Sequence, residues 1–275
     1  MRMVSFGLTD IGRKRRNNED FFLIDGPLLI VADGMGGAAA GEVASSLAVK
    51  TIASLLKDAS ALSEEKVVEE MRQAIHKADL QIHALAEKKR EFAGMGTTVV
   101  AALHYGARLL IGYVGDSRAY IISGGTDDHR NASPHSSDTD APTVMMKKIS
   151  DPGEKTDSSD IRRLTDDHSV VMNLVAAGVI SENEIRSHPL RNRITKCVGS
   201  LGDLEPDFLW YDPCVGDTLI LCSDGLWEMV HEVLVLAVVK SSENLEEMCR
   251  RLISAANDAG GQDNITVIIA HFYAD

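Results

Sequence analysis

The sequence FFLIDGPLLIVADGMGG, residues 21–37, contains two apolar runs separated by an Asp-Gly turn. FFLID and PLLIVAD have the composition of strands, and the Asp25-Gly26 pair between them is typical of a β-hairpin. The second run ends at Asp33, which is followed by three glycines in four residues. The stretch therefore predicts an antiparallel hairpin that presents a carboxylate beside a glycine-rich turn.

The glycine-rich turn has two interpretations. Gly34, Gly36 and Ala39 match a relaxed dinucleotide-binding fingerprint, which would make the chain an oxidoreductase. That fingerprint requires a βαβ unit and an acidic residue at the end of a second strand about 20 residues later. Asp58 lies near that distance, but it ends a predicted helix. In the second interpretation Asp33 is a metal ligand, and the glycines let the chain bend around it.

The rest of the chain groups strands with strands and helices with helices. Helical periodicity covers residues 41–57 and 64–90, and a further helical stretch covers residues 244–256. Strand-like runs after the hairpin are TTVVAAL, RLLIGYVG, RAYIIS, DTLILCSDG and NITVIIAHF. This grouping favours antiparallel sheets covered by helices over a regular βαβ alternation.

Composition restricts the classes of function. The 275 residues carry a net charge of -13, which argues against generic binding to nucleic acid or to an anionic membrane. No apolar run approaches the ~20 residues of a membrane span, and the N-terminus lacks the apolar stretch of a signal peptide. We therefore expect a cytoplasmic protein, and a monomer. The cysteines form no Cys-x-x-Cys pair, which argues against a zinc site and a disulfide framework: Cys197, Cys214, Cys222 and Cys249.

Residues 123–160 are rich in Ser, Asp, Thr, Gly and Pro. Such a segment buries too little apolar surface to offset the entropy of ordering it, so we expect a flexible insertion. Within it, TVMMKKI has the composition of a strand. A tolerated surface insertion is the simpler interpretation, and partner docking or phosphorylation is the alternative.

Three aspartates share one local setting. Asp33, Asp224 and Asp263 each lie at one end of an apolar strand and close to glycine. A single aspartate of this kind is usually a turn former. Three of them, with Glu19 and Asp20 one hairpin strand away, form an oxygen donor set suited to Mg²⁺ or Mn²⁺.

A cationic run, RKRR at residues 13–16, directly precedes Glu19 and Asp20 in the sequence RKRRNNED. The simpler interpretation is a solvated surface patch. The alternative is a phosphate site, because guanidinium groups pair bidentately with phosphate oxygens while metal ions bind the others. A pair of carboxylate-bound metals also lowers the pKa of a bound water, which makes it a nucleophile at neutral pH.

These motifs together resemble the bacterial branch of the PP2C-type (PPM) metal-dependent protein Ser/Thr phosphatases. The resemblance implies an α+β fold, a four-layer α-β-β-α sandwich of two antiparallel sheets flanked by helix pairs, in a single domain over residues 1–275. It also implies a flap at about residues 165–200. The motifs that carry it are TDIGRKRRNNED, VADGMGG, GMGTTVV, YVGDSRAY, LTDDHSVV, HPLRNRITKCVG, LCSDGLWEMV and GGQDNITVII.

The resemblance also implies a role for each acidic position. Asp33 would bridge two ions, Mn²⁺ or Mg²⁺. The first ion would also be bound by Asp224 and Asp263, and the second by Glu19 and the Gly34 carbonyl. A non-catalytic protein of the same fold would lack one of these ligands, and none is missing.

Further positions complete the implied site. Asp20 would hydrogen-bond metal-bound waters, Arg15 would bind the substrate phosphate, and Asp116 would help to hold a third, weaker ion together with Asp224. The flap would meet the phosphoprotein through His188, Arg191 and Asn192.

The implied reaction is direct attack of a metal-bridging hydroxide on phosphoserine or phosphothreonine in proteins, without a phosphoenzyme. Members from animals often have a histidine, the proposed proton donor, where this chain has Met35. A metal-bound water is then the first choice for the general acid and His188 the second. The expected partners are a cognate Ser/Thr kinase and its phosphorylated substrates.

Overall fold

A computed structural model describes residues 1–36, 40–124, 160–200 and 204–275 of the chain. Its strands form two sheets in which every neighbouring pair is antiparallel. Sheet one has the order β1 (Arg2–Asp10), β11 (Ile265–Tyr273), β10 (Thr218–Cys222), β7 (Arg118–Ile122) and β8 (Ile161–Arg163). Sheet two has the order β2 (Asp20–Asp25), β3 (Leu28–Met35), β5 (Val99–Tyr105), β6 (Arg108–Val114) and β9 (Asp207–Tyr211), with β4 (Gly96–Thr97) also paired to β3.

The predicted hairpin is confirmed as β2 and β3. Their register joins Asp25 to Leu28 at the turn and Asp20 to Asp33 at the open end. Gly26 has a φ of 55°, a left-handed conformation that favours glycine in a tight turn. The hairpin thus places the Asp20 and Asp33 side chains at the same edge of the sheet.

The strand β3 shows why the chain forms four layers. Leu28, Ile30 and Ala32 pack into a core beneath helices, while Leu29 and Val31 pack into a second core between the two sheets. Successive side chains of a strand point to opposite faces, so a continuous apolar run buries both faces. β11 repeats the pattern, since its alternate side chains contribute to the core between the sheets and to a third core under the other helices.

Helices cover the outer face of each sheet. α1 (Ala40–Leu56) and α2 (Glu64–Lys88) pack on sheet two, and α4 (Asp224–Trp227), α5 (Glu232–Lys240) and α6 (Leu245–Asp258) pack on sheet one. The predicted helices at 41–57, 64–90 and 244–256 are therefore confirmed, as is the α-β-β-α sandwich. α2 ends two residues early because Lys89 adopts an extended conformation before a short 3-10 helix, Arg90–Phe92.

The antiparallel pairing of β3 also makes the dinucleotide interpretation wrong. The chain passes from β3 to two consecutive helices and not through a βαβ unit. Asp58 precedes a 3-10 helix, Ala59–Ala61, and does not end a strand.

The predicted flexible insertion at 123–160 and its TVMMKKI strand lie largely outside the described residues. At its base, Ile122 of β7 pairs with Ile161 of β8. In the predicted flap at 165–200, the chain forms α3 (Val170–Ala176) and a 3-10 helix, Glu182–Ser187. None of the described helices is both long and apolar enough to cross a membrane.

Candidate active site

The predicted acidic residues lie at one end of the sandwich, where elements of both sheets meet. Asp33 is near the end of β3, Asp224 begins α4 directly after β10, and Asp263 precedes β11. Asp116 lies in the loop between β6 and β7, and Asp20 begins β2. We call these residues, with Glu19, the acidic cluster. The strand ends and the loops next to them thus bring together residues that are far apart in sequence.

Asp33 is held through its backbone. Its N–H donates to Thr98 Oγ1 at 3.0 Å, and its carbonyl accepts from Thr97 Oγ1 at 2.9 Å. Burial raises the pKa of the Asp33 carboxyl well above its usual value, and the neighbouring carboxylates of the acidic cluster raise it further. A carboxylate in this position favours any partner that supplies positive charge.

The Glu19 carboxyl group and the Gly34 carbonyl both lie against Gly41, the second residue of α1. A Cβ atom at Gly41 would lie 2.8 Å from Glu19 Cδ and 2.8 Å from the Gly34 carbonyl oxygen. A Cβ atom at Gly34 would lie 2.1 Å from the Gly41 carbonyl oxygen. The absence of side chains at Gly34 and Gly41 therefore leaves room for these two oxygen donors beside Gly41, in agreement with the interpretation that the glycines let the chain bend around Asp33.

Asp20 and Asp224 each have a buried carboxylate oxygen without a hydrogen-bond partner among the described residues, Oδ1 in both cases. The other Asp20 oxygen accepts from Ser223 Oγ at 2.7 Å, and Ser223 Oγ accepts from the Thr266 N–H at 3.0 Å. Burial raises the pKa of Asp20 to about 6 and that of Asp224 well above its usual value. Unpaired buried oxygens of this kind are costly without a ligand.

Asp116 is anchored through its backbone, because its carbonyl accepts from Trp227 Nε1 at 3.0 Å. Burial and then the charge of Asp167 raise the pKa of its carboxyl to about 7. Glu228 lies close enough to raise the pKa of both Asp116 and Asp224 by its charge. Glu228 therefore borders the acidic cluster at the edge where Asp116 lies.

Arg15 reaches the acidic cluster from the N-terminal loop. Its Nη2 atom donates to Asp263 Oδ2 at 2.5 Å, and its side chain is 49% exposed. Asn264 holds this loop: its Nδ2 group donates to the carbonyls of Ile11 and Asn17, both at 2.9 Å, and its Oδ1 atom accepts from the Glu19 N–H at 2.8 Å. The buried Asn264 amide thus makes three hydrogen bonds that help to fix the loop that carries Arg15 and Glu19.

The three predicted flap residues differ in their distance from the acidic cluster. Arg191 Nε lies 3.9 Å from Glu228 Oε1, so this guanidinium reaches the border of the acidic cluster. His188 Nδ1 accepts from the Leu190 N–H at 3.2 Å, a local contact, and Asn192 is exposed. The structure therefore brings Arg191 to the site, but it shows no contact of His188 or Asn192 with the acidic cluster within the described residues.

The composition of the acidic cluster fits divalent cations. Carboxylates with raised pKa values, unpaired buried oxygens and a nearby backbone carbonyl are the hard donors that Mg²⁺ and Mn²⁺ prefer. In the part of the chain that is described, no group of three acidic, histidine or cysteine side chains has the spacing of a finished coordination shell. The fit accordingly rests on charge, burial and donor chemistry.

Comparison with known proteins agrees with this fold and gives the family of the chain. The chain matches Protein phosphatase 2C over residues 13–268 and belongs to that family of metal-dependent serine/threonine phosphatases. It is 36% identical over 267 residues to the serine/threonine phosphatase stp of Listeria welshimeri serovar 6b, an alignment that covers 95% of this chain and 92% of that protein.

Solved structures of bacterial phosphatases have the same fold. The crystal structure of the Mycobacterium tuberculosis serine/threonine phosphatase PstP/Ppp is similar with a TM-score of 0.82 and 30% identity, over 100% of both chains. The catalytic domain of PstP in complex with two manganese ions has a TM-score of 0.78 and 29% identity, over 99% of both chains. These likenesses confirm the resemblance found in the sequence motifs.

Three residues at the site were not predicted from the sequence: Glu228, Ser223 and Asn264. Glu228 follows Asp224 by four residues, so helical spacing places the two on one face, and this spacing was available in the sequence. Ser223 and Asn264 are direct sequence neighbours of Asp224 and Asp263, but their contacts depend on loops far away in the chain. Only the tertiary fold reveals those two.

Proposed function

We propose that this member of the PP2C family hydrolyses phosphoserine and phosphothreonine in phosphorylated proteins at the acidic cluster. The observation that supports this most is the meeting of the acidic cluster with the half-exposed Arg15 guanidinium, which pairs with Asp263. The carboxylates suit cations and Arg15 suits a phosphate, so both halves of a phosphoryl-transfer site lie together.

Two Mn²⁺ or Mg²⁺ ions would be bound by Asp33, Asp224, Asp263, Glu19 and the Gly34 carbonyl, with a third, weaker ion at Asp116 and Asp224. Bound ions of this kind supply a hydroxide nucleophile at neutral pH and offset the charge of the phosphate. The chain's own residues then bind and orient the substrate.

Arg15 binds phosphate oxygens and stabilises the charge that spreads over them during transfer. Its pairing with Asp263 holds the guanidinium at the edge of the acidic cluster, where the phosphate would arrive. Asp20 is fixed by Ser223 and has one oxygen left for a water molecule near the phosphorus.

Two of the four cysteines are poor candidates for a nucleophile that would form a covalent phosphoenzyme. Cys222 and Cys249 are buried, and burial raises the pKa of each to about 12. The thiolate is the nucleophilic form, and these two thiols stay protonated at neutral pH. This supports direct attack by water on the phosphorus.

The proton of the leaving alkoxide is supplied by a water molecule in our proposal. Met35 pairs with Gly96 at the end of β3 and offers no proton. His188 is the second choice, and its described contact is local to the flap.

The proposal extends to partners and setting. A regulatory role opposite a bacterial Ser/Thr kinase follows from the family, and we propose such a kinase and its substrates as partners in the cytoplasm. We also propose a monomer, because the exposed large apolar side chains of the described residues belong to several different strands, helices and loops: Val4, Ile11, Leu80, Val179, Val215, Val233 and Leu234.

Hydrolysis of p-nitrophenyl phosphate and of a phosphothreonine peptide, with and without Mn²⁺, tests the proposal. Wild type should turn over both substrates only with a divalent cation, and Asp33→Asn should lose activity by about a thousandfold or more. Activity that survives both chelation and this substitution would contradict it.

A further inference from the structure

The cationic loop, residues 13–16, lies beside the acidic cluster in a chain whose net charge is -13. All four side chains are exposed: Arg13, Lys14, Arg15 and Arg16. Among ion pairs between described residues, Arg15 with Asp263 is the one that involves this loop. Three of its cationic side chains thus face solvent without a carboxylate partner in the described structure.

The backbone of this loop is fixed at both ends. Asn264 is 4% exposed and binds the backbone of Ile11, Asn17 and Glu19. The Arg13 N–H also donates to the Gly261 carbonyl at 2.8 Å. Charges displayed from a fixed backbone lose less entropy when they bind a partner than charges on a mobile segment.

The loop follows the rim of the site. A Cβ atom at Gly261 would lie 2.8 Å from Arg13 Cγ, so the stem of Arg13 packs along the loop that leads to Asp263. Arg15 contacts Asp263 itself. Lys14 and Arg16 flank Arg15 in sequence, which places them within one residue of the group proposed to bind the phosphate.

We propose that Lys14 and Arg16 form a docking surface for acidic residues that flank the phosphorylated Ser or Thr of protein substrates. This inference rests on the proposed function, because it assumes that the phosphate binds at Arg15. Charges at the rim of an interface act mainly on encounter and on partner choice, and their effect is screened by salt. The preference should therefore appear mainly in KM and should decrease at high ionic strength.

Two phosphothreonine peptides test the docking surface, one with Glu and Asp around the phosphothreonine and one with Gln and Asn at the same positions. Wild type at low salt should show kcat/KM roughly three- to tenfold higher for the acidic peptide, since exposed ion pairs are individually weak. Lys14→Gln/Arg16→Gln should bring the ratio close to one. Both enzymes should hydrolyse p-nitrophenyl phosphate equally, because it has no flanking residues.

Lys57→Gln/Lys66→Gln is the matched control, because it removes the same number of positive charges from two other exposed positions. Lys57 directly follows α1, and Lys66 lies on α2. It should keep the wild-type preference.

Fluorescence anisotropy of labelled peptides gives the same comparison without turnover. If wild type binds and hydrolyses both peptides equally, or if the control loses the preference as much as Lys14→Gln/Arg16→Gln, the inference is wrong. If no phosphorylated substrate is hydrolysed with Mn²⁺, the proposed function fails, and the anisotropy ratio still decides the role of the loop.

Discussion

Two arginine-carboxylate pairs lie at the same end of this molecule and differ in burial. In the pair of Arg15 and Asp263, the side chains are 49% and 27% exposed. In the pair of Arg118 and Asp167, they are 6% and 1% exposed. The chemistry of the two pairs is the same, so the difference between them comes from their surroundings.

In the buried pair, Arg118 makes several hydrogen bonds and a cation–π contact. Arg118 donates to both oxygens of Asp167, at 2.8 and 2.6 Å, and to the Tyr120 hydroxyl at 2.9 Å. Its guanidinium also lies 3.5 Å from the ring centre of Trp227, whose indole binds the carbonyl of Asp116. This pair ties the start of the flap to the loop that carries Asp116, and its hydrogen-bonding groups have little left to offer a substrate.

In the exposed pair, Arg15 donates one described hydrogen bond, from Nη2 to Asp263 Oδ2, and Asp263 Oδ1 also accepts from the Asn264 N–H at 2.8 Å. The other donors of the guanidinium are available to phosphate oxygens. An arginine beside a carboxylate therefore indicates a functional site only where burial and existing hydrogen bonds leave some of its N–H donors unused.

The largest effect should come from breaking the buried pair. Arg118→Met leaves Asp167 buried without a cation, and we expect a loss of about 3–5 kcal/mol in the free energy of unfolding. Urea denaturation measures it. The double variant Arg118→Met/Asp167→Leu replaces both charges and should recover most of the stability. A loss below about 1 kcal/mol for the single variant would show that the pair is not structural.

Breaking the exposed pair should affect catalysis and leave stability nearly unchanged. Arg15→Gln should lower kcat/KM for p-nitrophenyl phosphate by roughly a hundred- to a thousandfold, because a donor to the transferring phosphoryl group is lost. Its free energy of unfolding should change by less than about 1 kcal/mol, as for other exposed ion pairs. Arg15→Lys should restore only part of the activity, since lysine lacks the bidentate fork. A variant that unfolds but keeps its kcat/KM would reverse the roles assigned to the two arginines.

Asn264 connects the exposed pair to the fold. Asn264→Asp keeps an acceptor for the Glu19 N–H but removes the donors to Ile11 and Asn17. We expect a loss of about 1–3 kcal/mol in unfolding free energy from the unsatisfied carbonyls, and a lower kcat/KM because Arg15 is less well placed. Asn257→Ala is the control, since the Asn257 side chain donates to Asp10 and makes no described hydrogen bond to residues 11–19. Equal losses of kcat/KM in both variants would argue against a specific role of Asn264.

The smallest effect concerns Asp79, a buried carboxylate bound by an amide and not by an arginine. Its Oδ1 atom accepts from the Gly199 N–H at 2.6 Å, and burial raises its pKa. Because the pKa of Asp79 is higher in the folded chain than in the unfolded chain, the protonated carboxyl group stabilises the fold. This contribution to stability is lost as the pH rises above about 4, the usual pKa of an aspartate in an unfolded chain. Relative to Asp79→Asn, wild type should therefore lose stability as the pH rises above about 4, as measured by urea denaturation at several pH values. A difference independent of pH would contradict this.

The fold and the acidic cluster could be predicted because their signals are local. Two continuous apolar runs and the Asp-Gly turn identify the hairpin, and Asp33, Asp224 and Asp263 each lie in or next to a strand. Once the strands pair in antiparallel sheets, their ends must lie together. β1 has no comparable signal, because most of its side chains are only partly buried and its apolar alternation is weak.

The supporting contacts could not be predicted because they join distant segments. Arg118 and Asp167 are 49 residues apart, and Asn264 binds a loop about 250 residues away. The sequence shows Asp167 and Asn264 only as polar residues near a strand or turn. Arg118 becomes buried because Asp167, at the start of the flap, packs against it in the folded chain. The local sequence around either residue does not indicate this contact.

Calorimetric titration with Mn²⁺ tests most directly whether the acidic cluster is the catalytic metal centre and the buried pair belongs to the fold. Wild type and Arg118→Met/Asp167→Leu should both bind Mn²⁺, since the buried pair is not required for binding. Asp33→Asn should remain folded in the absence of metal and bind Mn²⁺ at least a hundredfold more weakly, roughly the cost of losing a carboxylate ligand shared by two ions. Unchanged Mn²⁺ affinity in Asp33→Asn would contradict the assignment of the site.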